Sequence, residues 1–153
     1  MRIAVLIAWL ALMAFLLLSL PLLPAQVGEP GKETSRLVYL LSLMGPATLM
    51  LLLNRFLLPW LARRAPRLID MPHRDYWLAE PRREDTILRL QSGLAQLSLL
   101  VMTLMAGAHG FILLQSKGMS LPAFFWWGAG ALWAVVFLVC VLRIRRAFAL
   151  PKS

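Results

Sequence analysis

The sequence predicts an all-α integral membrane protein, a four-helix bundle with both termini in the cytoplasm. Of its 153 residues, 60% are hydrophobic and only 15% are charged, which is more apolar surface than a soluble domain of this size could bury. The apolar residues form four long runs, and the basic residues lie in short segments beside them. Long runs rich in Leu, Ala and Met favour helices over the short alternating strands of a membrane β-barrel.

Near-continuous hydrophobicity predicts four spanning helices, at about residues 3–23, 37–61, 90–115 and 121–142. Each run reaches the roughly twenty apolar residues that cross a bilayer. The first run also has features of a signal peptide, but its length and its lack of a small-x-small cleavage site favour an uncleaved anchor. Cys140 is the only cysteine, so an internal disulfide is excluded.

Positive charge predicts the orientation of the bundle. Arginines are concentrated in the connector at residues 62–89 and after residue 142, which indicates that both segments are cytoplasmic, whereas the other two loops carry balanced or little charge. The net charge of +9 therefore reflects membrane topology, and nucleic acid is not a predicted partner. The predicted location is a bacterial inner membrane, and the predicted partners are the lipid bilayer and a membrane protein or a second copy of the chain.

Tryptophans are expected in two roles. Trp60, Trp126 and Trp127 fall near the ends of predicted spans, where indole rings anchor helices at the membrane interface. Trp9 and Trp133 lie deeper in their spans and are expected to pack between helices or against lipid.

Two features inside the spans predict local structure. One indicates an irregular helix, and the other indicates a close contact between two helices. Gly45 and Pro46 predict a kink in the second span or, alternatively, a broken helix that exposes carbonyl groups to an ion. Small residues let helix backbones approach closely, so those of the third and fourth spans predict close contact, within one chain or between subunits. They are Ala106, Gly107, Ala108, Gly110, Gly128, Ala129 and Gly130.

The connector contains the most distinctive string of the chain, at residues 70–86. Its aromatic residues predict that it folds onto the membrane surface or against the inner mouth of the bundle. Pro81 followed by acidic residues predicts a helix start below the membrane, where Arg82, Arg83 and Arg89 are expected to face anionic headgroups. The predicted contact surface consists of Pro72, His73, Asp75, Tyr76, Trp77, Arg82, Arg83 and Glu84.

Both histidines are candidates for chemistry. His73, with Asp70 and Asp75 nearby, has the residue types of a divalent metal site, although such a string is more typical of a salt-bridged loop, and no metal or cofactor is predicted. His109 is a titratable residue within the third span, either hydrogen-bonded to another helix or active in handling a proton or ligand. The sequence contains no Gly-rich phosphate loop and no Ser-His-Asp set, so an enzyme is not the leading prediction.

The string Asp70 Met71 Pro72 His73 Arg74 Asp75 Tyr76 Trp77 Leu78 Ala79, followed by Pro81 Arg82 Arg83 Glu84 and Thr86, resembles the cytoplasmic loop of a family of bacterial four-span membrane proteins. The family pattern reads N-L-P-x-x-D-Y-W-L-A-P-x-R-R-x-E-T, and the family is distantly linked to immunity and sensor proteins of sporulation-delaying toxin systems. Here Asp70 replaces Asn, Glu80 is an added residue before Pro81, and the first outward loop is short. The resemblance implies the four-span order and no established activity.

Three hypotheses follow from the sequence. The leading one is a non-enzymatic membrane protein that binds a membrane partner, peptide or lipid through residues 70–86. The alternative is a transporter or proton-coupled channel component that uses His109 and a helix break at Gly45 and Pro46. A third is a membrane-bound metal-dependent enzyme centred on His73.

Overall fold

The structure, a computed structural model that describes residues 2–28, 31, 33–119 and 122–149, is mostly helical and confirms the all-α prediction. Its helices are α1 (Arg2–Leu18), α2 (Arg36–Leu52), α3 (Leu58–Arg64), α4 (Arg74–Trp77), α5 (Arg83–Ser116) and α6 (Ala123–Ala147). A π-helical turn, Leu53–Leu57, joins α2 to α3. Trp126, whose side chain is not described, and the C-terminal Lys152 lie outside what the structure can test.

The long helices alternate in direction, and three of them form the core. Trp9 of α1 donates its indole N–H to Thr48 Oγ1 of α2 at 3.1 Å, and α1 and α2 both pack against α5. The core consists of Val5, Leu12, Met13, Leu16, Leu23, Val27, Leu40, Ala47, Ala95 and Met102. Trp133 of α6 donates to the Leu100 carbonyl of α5 at 3.4 Å. α6 therefore lies outside the core that α1, α2 and α5 form, and packs on α5.

We call the end of the bundle that carries residues 65–82 the connector end, and the opposite end the hairpin end. At the hairpin end a 3₁₀ turn, Leu20–Leu22, leads into two short antiparallel strands, β1 (Gln26–Val27) and β2 (Thr34–Ser35). Ser35 caps α2 by accepting a hydrogen bond from the Val38 amide. Arg36 donates to the Leu20 carbonyl, which ties the start of α2 to the end of the first helical segment. The sequence did not predict this small ladder.

Within the described residues, three helical stretches are long and apolar enough to cross a membrane: Arg36–Arg64, Glu80–Ser116 and Trp127–Ala147. The first helix is apolar but shorter, at Ile3–Leu18. At 1.5 Å per residue, the 34 residues of α5 extend about 50 Å, well beyond the roughly 30 Å of a hydrocarbon core. Its first turns consequently lie beside the connector.

The predicted helix break at Gly45 and Pro46 is wrong, because α2 continues through both residues. The irregular turn lies further on, where the Leu58 amide donates to the Leu53 carbonyl in the i→i−5 pattern of a π-helix. A proline removes one N–H, but the helix is free to continue where neighbouring groups compensate. The helix is therefore unbroken at Pro46, and its irregular turn lies at Leu53–Leu57.

Close contact between the small residues of α5 and α6 does not occur within one chain. A Cβ built on Gly107, Gly110, Gly128 or Gly130 would meet nothing within 4 Å outside its own helix. An apolar groove of about 840 Å³ instead opens between the two helices toward the hairpin end. The helices touch near the connector end, where a Cβ on Gly93 would lie 3.0 Å from Ile144 Cγ1.

Candidate functional sites

The connector is a folded cap that is fastened to the ends of α5 and α6. Trp77 donates its indole N–H to the Phe148 carbonyl at 2.9 Å, and the two rings meet edge to face at 5.8 Å. Thr86, in the first turns of α5, donates its hydroxyl to the Trp77 carbonyl at 2.8 Å. Leu78 is buried in a small cluster with Ala62, Ile69 and Ile87. These contacts hold both sides of the connector against the bundle.

Arginines stabilise the cap from within. Arg82 donates to the Tyr76 carbonyl at 3.0 Å, and its guanidinium carbon lies 3.9 Å from the centre of the Tyr76 ring, a cation–π contact. Arg83 donates to the Leu78 carbonyl at 3.2 Å. Carbonyl groups in short helical turns lack backbone N–H partners. The guanidinium groups of Arg82 and Arg83 supply the missing hydrogen-bond donors.

A bidentate ion pair joins α3 to the start of α5 across the cap. Arg63 donates Nε and Nη2 to the two carboxylate oxygens of Glu84, at 3.0 and 2.9 Å. The hydrogen bonds from Arg63 hold the pKa of the Glu84 carboxyl, which precedes the continuous apolar run at residues 90–115, below its usual value. Both side chains are largely exposed, so the pair contributes to orientation more than to stability.

His73 has the only left-handed backbone conformation found at a non-glycine residue in the described chain, with φ 52° and ψ 40°. It precedes α4 and lies exposed at the outer surface of the cap. Asp75 is also exposed, and Arg74 donates to it at 3.2 Å. Among the described residues no group of three or more His, Cys, Asp or Glu side chains is arranged to hold a metal ion.

The predicted contact surface thus divides into two sets. Trp77, Arg82 and Arg83 are partly buried and donate to backbone carbonyl groups, Trp77 at the end of α6 and the two arginines within the cap. Tyr76 lies under the Arg82 guanidinium. Pro72 lines a cleft toward the end of α6. The residues whose side chains face outward are His73, Asp75 and Glu84, together with Glu80, which the sequence did not single out.

His109 is completely buried where α1, α2 and α5 meet, near the hairpin end. Its Nε2 lies 2.6 Å from Ser19 Oγ and its Nδ1 lies 3.0 Å from the Tyr39 hydroxyl. The Phe15 ring meets the imidazole edge to face at 5.0 Å, and the Tyr39 ring stacks on it at 5.8 Å. Both ring nitrogens therefore have partners on other helical segments.

The directions of these hydrogen bonds follow from the partners. Ser19 donates its own proton to the Leu16 carbonyl at 3.0 Å, so toward His109 its oxygen accepts, and Nε2 carries the ring proton. Nδ1 is then the acceptor, and the Tyr39 hydroxyl donates to it. A neutral imidazole satisfies every donor in this chain of bonds.

A second buried polar contact ties the π-helical turn to α5. In the π register the Asn54 carbonyl would pair with the N–H of residue 59, but that residue is proline and has none. Gln91 Nε2 donates to this carbonyl at 3.0 Å, and Asn54 Nδ2 donates to the Gln91 carbonyl at 3.1 Å. Asn54 is therefore buried between the helices.

Sequence reasoning found His109 but missed its partners Ser19 and Tyr39, and it missed Gln91. A polar residue within an apolar run was the available signal for Ser19 and Gln91, because a buried polar group requires a partner. Trp9 and Trp133 pack between helices, as expected.

Comparison with known proteins adds no assignment. No family model, no curated protein and no solved structure matches the chain. The likeness of residues 70–86 to a bacterial loop motif therefore remains a hypothesis that rests on the string itself.

Proposed function

We propose that the chain is a multi-pass protein of the bacterial inner membrane that acts by binding a protein partner through the outer surface of its cytoplasmic connector. Membrane location is supported by large apolar side chains that water would otherwise cover. Trp127 is 81% exposed, Leu18 80% and Phe124 75%. A soluble monomer rarely exposes an apolar surface of this extent, whereas lipid covers it at no cost.

Orientation is supported by the arginines of the connector end. The exposed cations Arg64, Arg67, Arg145 and Arg146 lie there, and the described part of the hairpin end carries only Arg36 and Lys117. Positive loops stay in the cytoplasm. Reporters fused after Arg83 and Lys152 are expected to be active only in the cytoplasm, and those after Arg36 and Lys117 only in the periplasm. A periplasmic signal at Arg83 would refute the cytoplasmic orientation of the connector.

The observation that carries the binding hypothesis is the rigid attachment of the connector. A few arginines are enough to orient a bundle, yet Trp77 of the connector also bonds to Thr86 at the start of α5 and to Phe148 at the end of α6. A surface held in one conformation binds at a lower entropic cost than a mobile loop. The outward side chains His73, Asp75 and Glu80 make this surface polar and acidic at its rim.

The structure changes which residues test this hypothesis. Replacing Trp77 would unfold the cap as well as remove a contact, so the variants are made at outward positions. A photo-crosslinking amino acid at His73 is expected to give a discrete protein adduct in cells, and the same probe at exposed Glu33, at the hairpin end, is the control. Asp75→Lys with Glu80→Lys is expected to abolish the His73 adduct at an unchanged membrane level. Equal adducts from both ends, or none, would refute the hypothesis.

A second candidate, proton handling at His109, is favoured by one observation. The bonds from Tyr39 through His109 and Ser19 to the Leu16 carbonyl form a directed chain inside the bundle. With α2 unbroken at Pro46, only this chain supports the transport hypothesis. Liposomes containing the protein are expected to show proton flux that His109→Gln removes if the candidate is correct. Flux that is absent, or unchanged in the variant, leaves His109 with its structural role.

A further inference from the structure

A cleft that two arginines border separates α5 from α6 just inside the connector end. It has a volume of about 370 Å³, and its walls are Arg89, Gly93 and Gln96 of α5 and Arg143 and Phe148 from the end of α6. Positions 89, 93 and 96 are one helical turn apart and share a face. Two arginines from different helices thus line one small space.

The two arginines mark the same level of the bundle. Arg89 immediately precedes the apolar stretch of α5 at residues 90–115, and Arg143 immediately follows that of α6 at residues 121–142. A charged residue at the end of a spanning stretch lies at the depth of the lipid headgroups. The cleft is therefore at the height where a phosphodiester lies.

Neither arginine is neutralised by the described protein. The ion pairs among the described residues use Arg63, Arg74 and Arg83, and no carboxylate lies within 4.0 Å of Arg89 or Arg143. Arg89 is placed 5.7 Å above the Trp77 ring, which fixes its direction without cancelling its charge. Two guanidinium groups that converge without an acid form a site for an anion.

Gln96 provides an independent observation. It is exposed, lies seven residues inside the apolar stretch from Arg89, and has no hydrogen-bond partner among the described residues. An amide in contact with hydrocarbon costs free energy unless a polar group meets it. A ligand whose polar part extends from the headgroup level toward the hydrocarbon would supply that group.

We propose that this cleft binds an anionic glycerophospholipid, with Arg89 and Arg143 holding the phosphodiester from the two helices and Gln96 donating to a glycerol-ester oxygen. Beside the cleft is a shallow groove of about 420 Å³, lined by Val139 and Leu142 of α6 and bordered by Arg143 and Arg146. The side chains of Val139 and Leu142 are exposed, which leaves room for acyl chains on the hydrocarbon side of the phosphate. This surface favours a lipid over free phosphate, and basic pockets between spanning helices on the cytoplasmic side are suited to lipid headgroups.

The inference rests on the membrane location in the proposed function, and its test is separate from the partner experiment. Purified protein in detergent with equal amounts of phosphatidylglycerol and phosphatidylcholine is examined by native mass spectrometry. We expect a retained phosphatidylglycerol adduct that Arg89→Gln with Arg143→Gln weakens roughly 30-fold in apparent affinity, from about 1 kcal/mol for each arginine.

The matched control is Arg64→Gln with Arg67→Gln, which removes the same charge from the same end but not from the cleft. It is expected to retain the adduct within about threefold. Equal loss in both double variants would reduce the effect to general charge and overturn the proposal. Displacement of the lipid by millimolar inorganic phosphate alone would identify a soluble-anion site and also overturn it. If native mass spectrometry shows no lipid adduct while the crosslink at His73 still forms, the lipid site is refuted and the proposed function stands.

Discussion

The two bonds to His109 predict that losing both partners costs more than the sum of losing each one. A neutral imidazole always carries one ring proton, and either Ser19 or Tyr39 can accept it. Tyr39→Phe leaves the proton bonded to Ser19. Ser19→Ala lets the proton move to Nδ1, where the Tyr39 oxygen accepts it. Each single variant therefore leaves only an acceptor nitrogen unpaired.

The double variant removes this alternative. With both oxygens gone, one N–H of a fully buried ring has no acceptor, whichever nitrogen holds the proton. Interhelical hydrogen bonds between spanning helices contribute about 0.6 kcal/mol on average and up to about 1.7 kcal/mol. A buried donor without a partner costs about 1–3 kcal/mol. We expect about 1 kcal/mol of destabilisation for each single variant and about 3 kcal/mol for the double variant.

The measurement is unfolding by SDS in mixed micelles, followed by tryptophan fluorescence, for a double-mutant cycle. Ser42→Ala is the control, because the Ser42 hydroxyl makes only a local bond to the Tyr39 carbonyl and is exposed. It is expected to change the free energy of unfolding by less than about 0.5 kcal/mol. A double variant equal to or below the sum of the singles would refute the pairing of both ring nitrogens of His109 with Ser19 and Tyr39.

Three further substitutions test other parts of the fold. Gly93→Ala is expected to be less stable than Gly107→Ala by about 1–3 kcal/mol in the same SDS titration, because only Gly93 faces a packed side chain while both gain the same helix propensity; equal values would contradict the close contact of α5 and α6. His73→Gly is expected to stabilise the protein by about 1 kcal/mol, as glycine relieves the positive φ, and His73→Ala to give no such gain. Trp77→Phe keeps the aromatic ring but loses the indole donor, so we expect about 1 kcal/mol of destabilisation and faster protease cleavage of the connector, neither of which Trp127→Phe should cause.

Apolar runs were sufficient to predict the helices because their length and continuity need no knowledge of neighbours. The early start of α5, at Arg83, was also predictable, since Pro81 and the acidic residues after it suit a helix N-terminus. Which faces meet was not predictable. The burial of His109 against Ser19 and Tyr39 depends on the rotation of three helices, and runs that are apolar on every side carry no periodic signal for rotation.

The break predicted as an alternative at Pro46 and the close contact of small residues within one chain were wrong for a related reason. The effect of Pro46 depends on whether the surrounding helix can continue, whereas Pro59 acts in a turn where Gln91 supplies the missing donor. Small residues permit close packing but do not cause it. Gly93 is in close contact because Ile144 lies opposite it, while Gly107 faces open space on the same helix.

The distribution of polar contacts divides the bundle into a fixed part and an adjustable part. The first three long helical segments are joined by two buried polar contacts, Ser19 with His109 and Asn54 with Gln91. Breaking a buried hydrogen bond is costly. α6 contacts α5 through the indole bond from Trp133 and through the packing at Gly93, and most of its described side chains are exposed. Its end is held by the connector through Trp77 and Phe148. Because Phe148 also lines the arginine cleft, the proposed partner on the connector and the proposed lipid in the cleft would both contact the same end of α6.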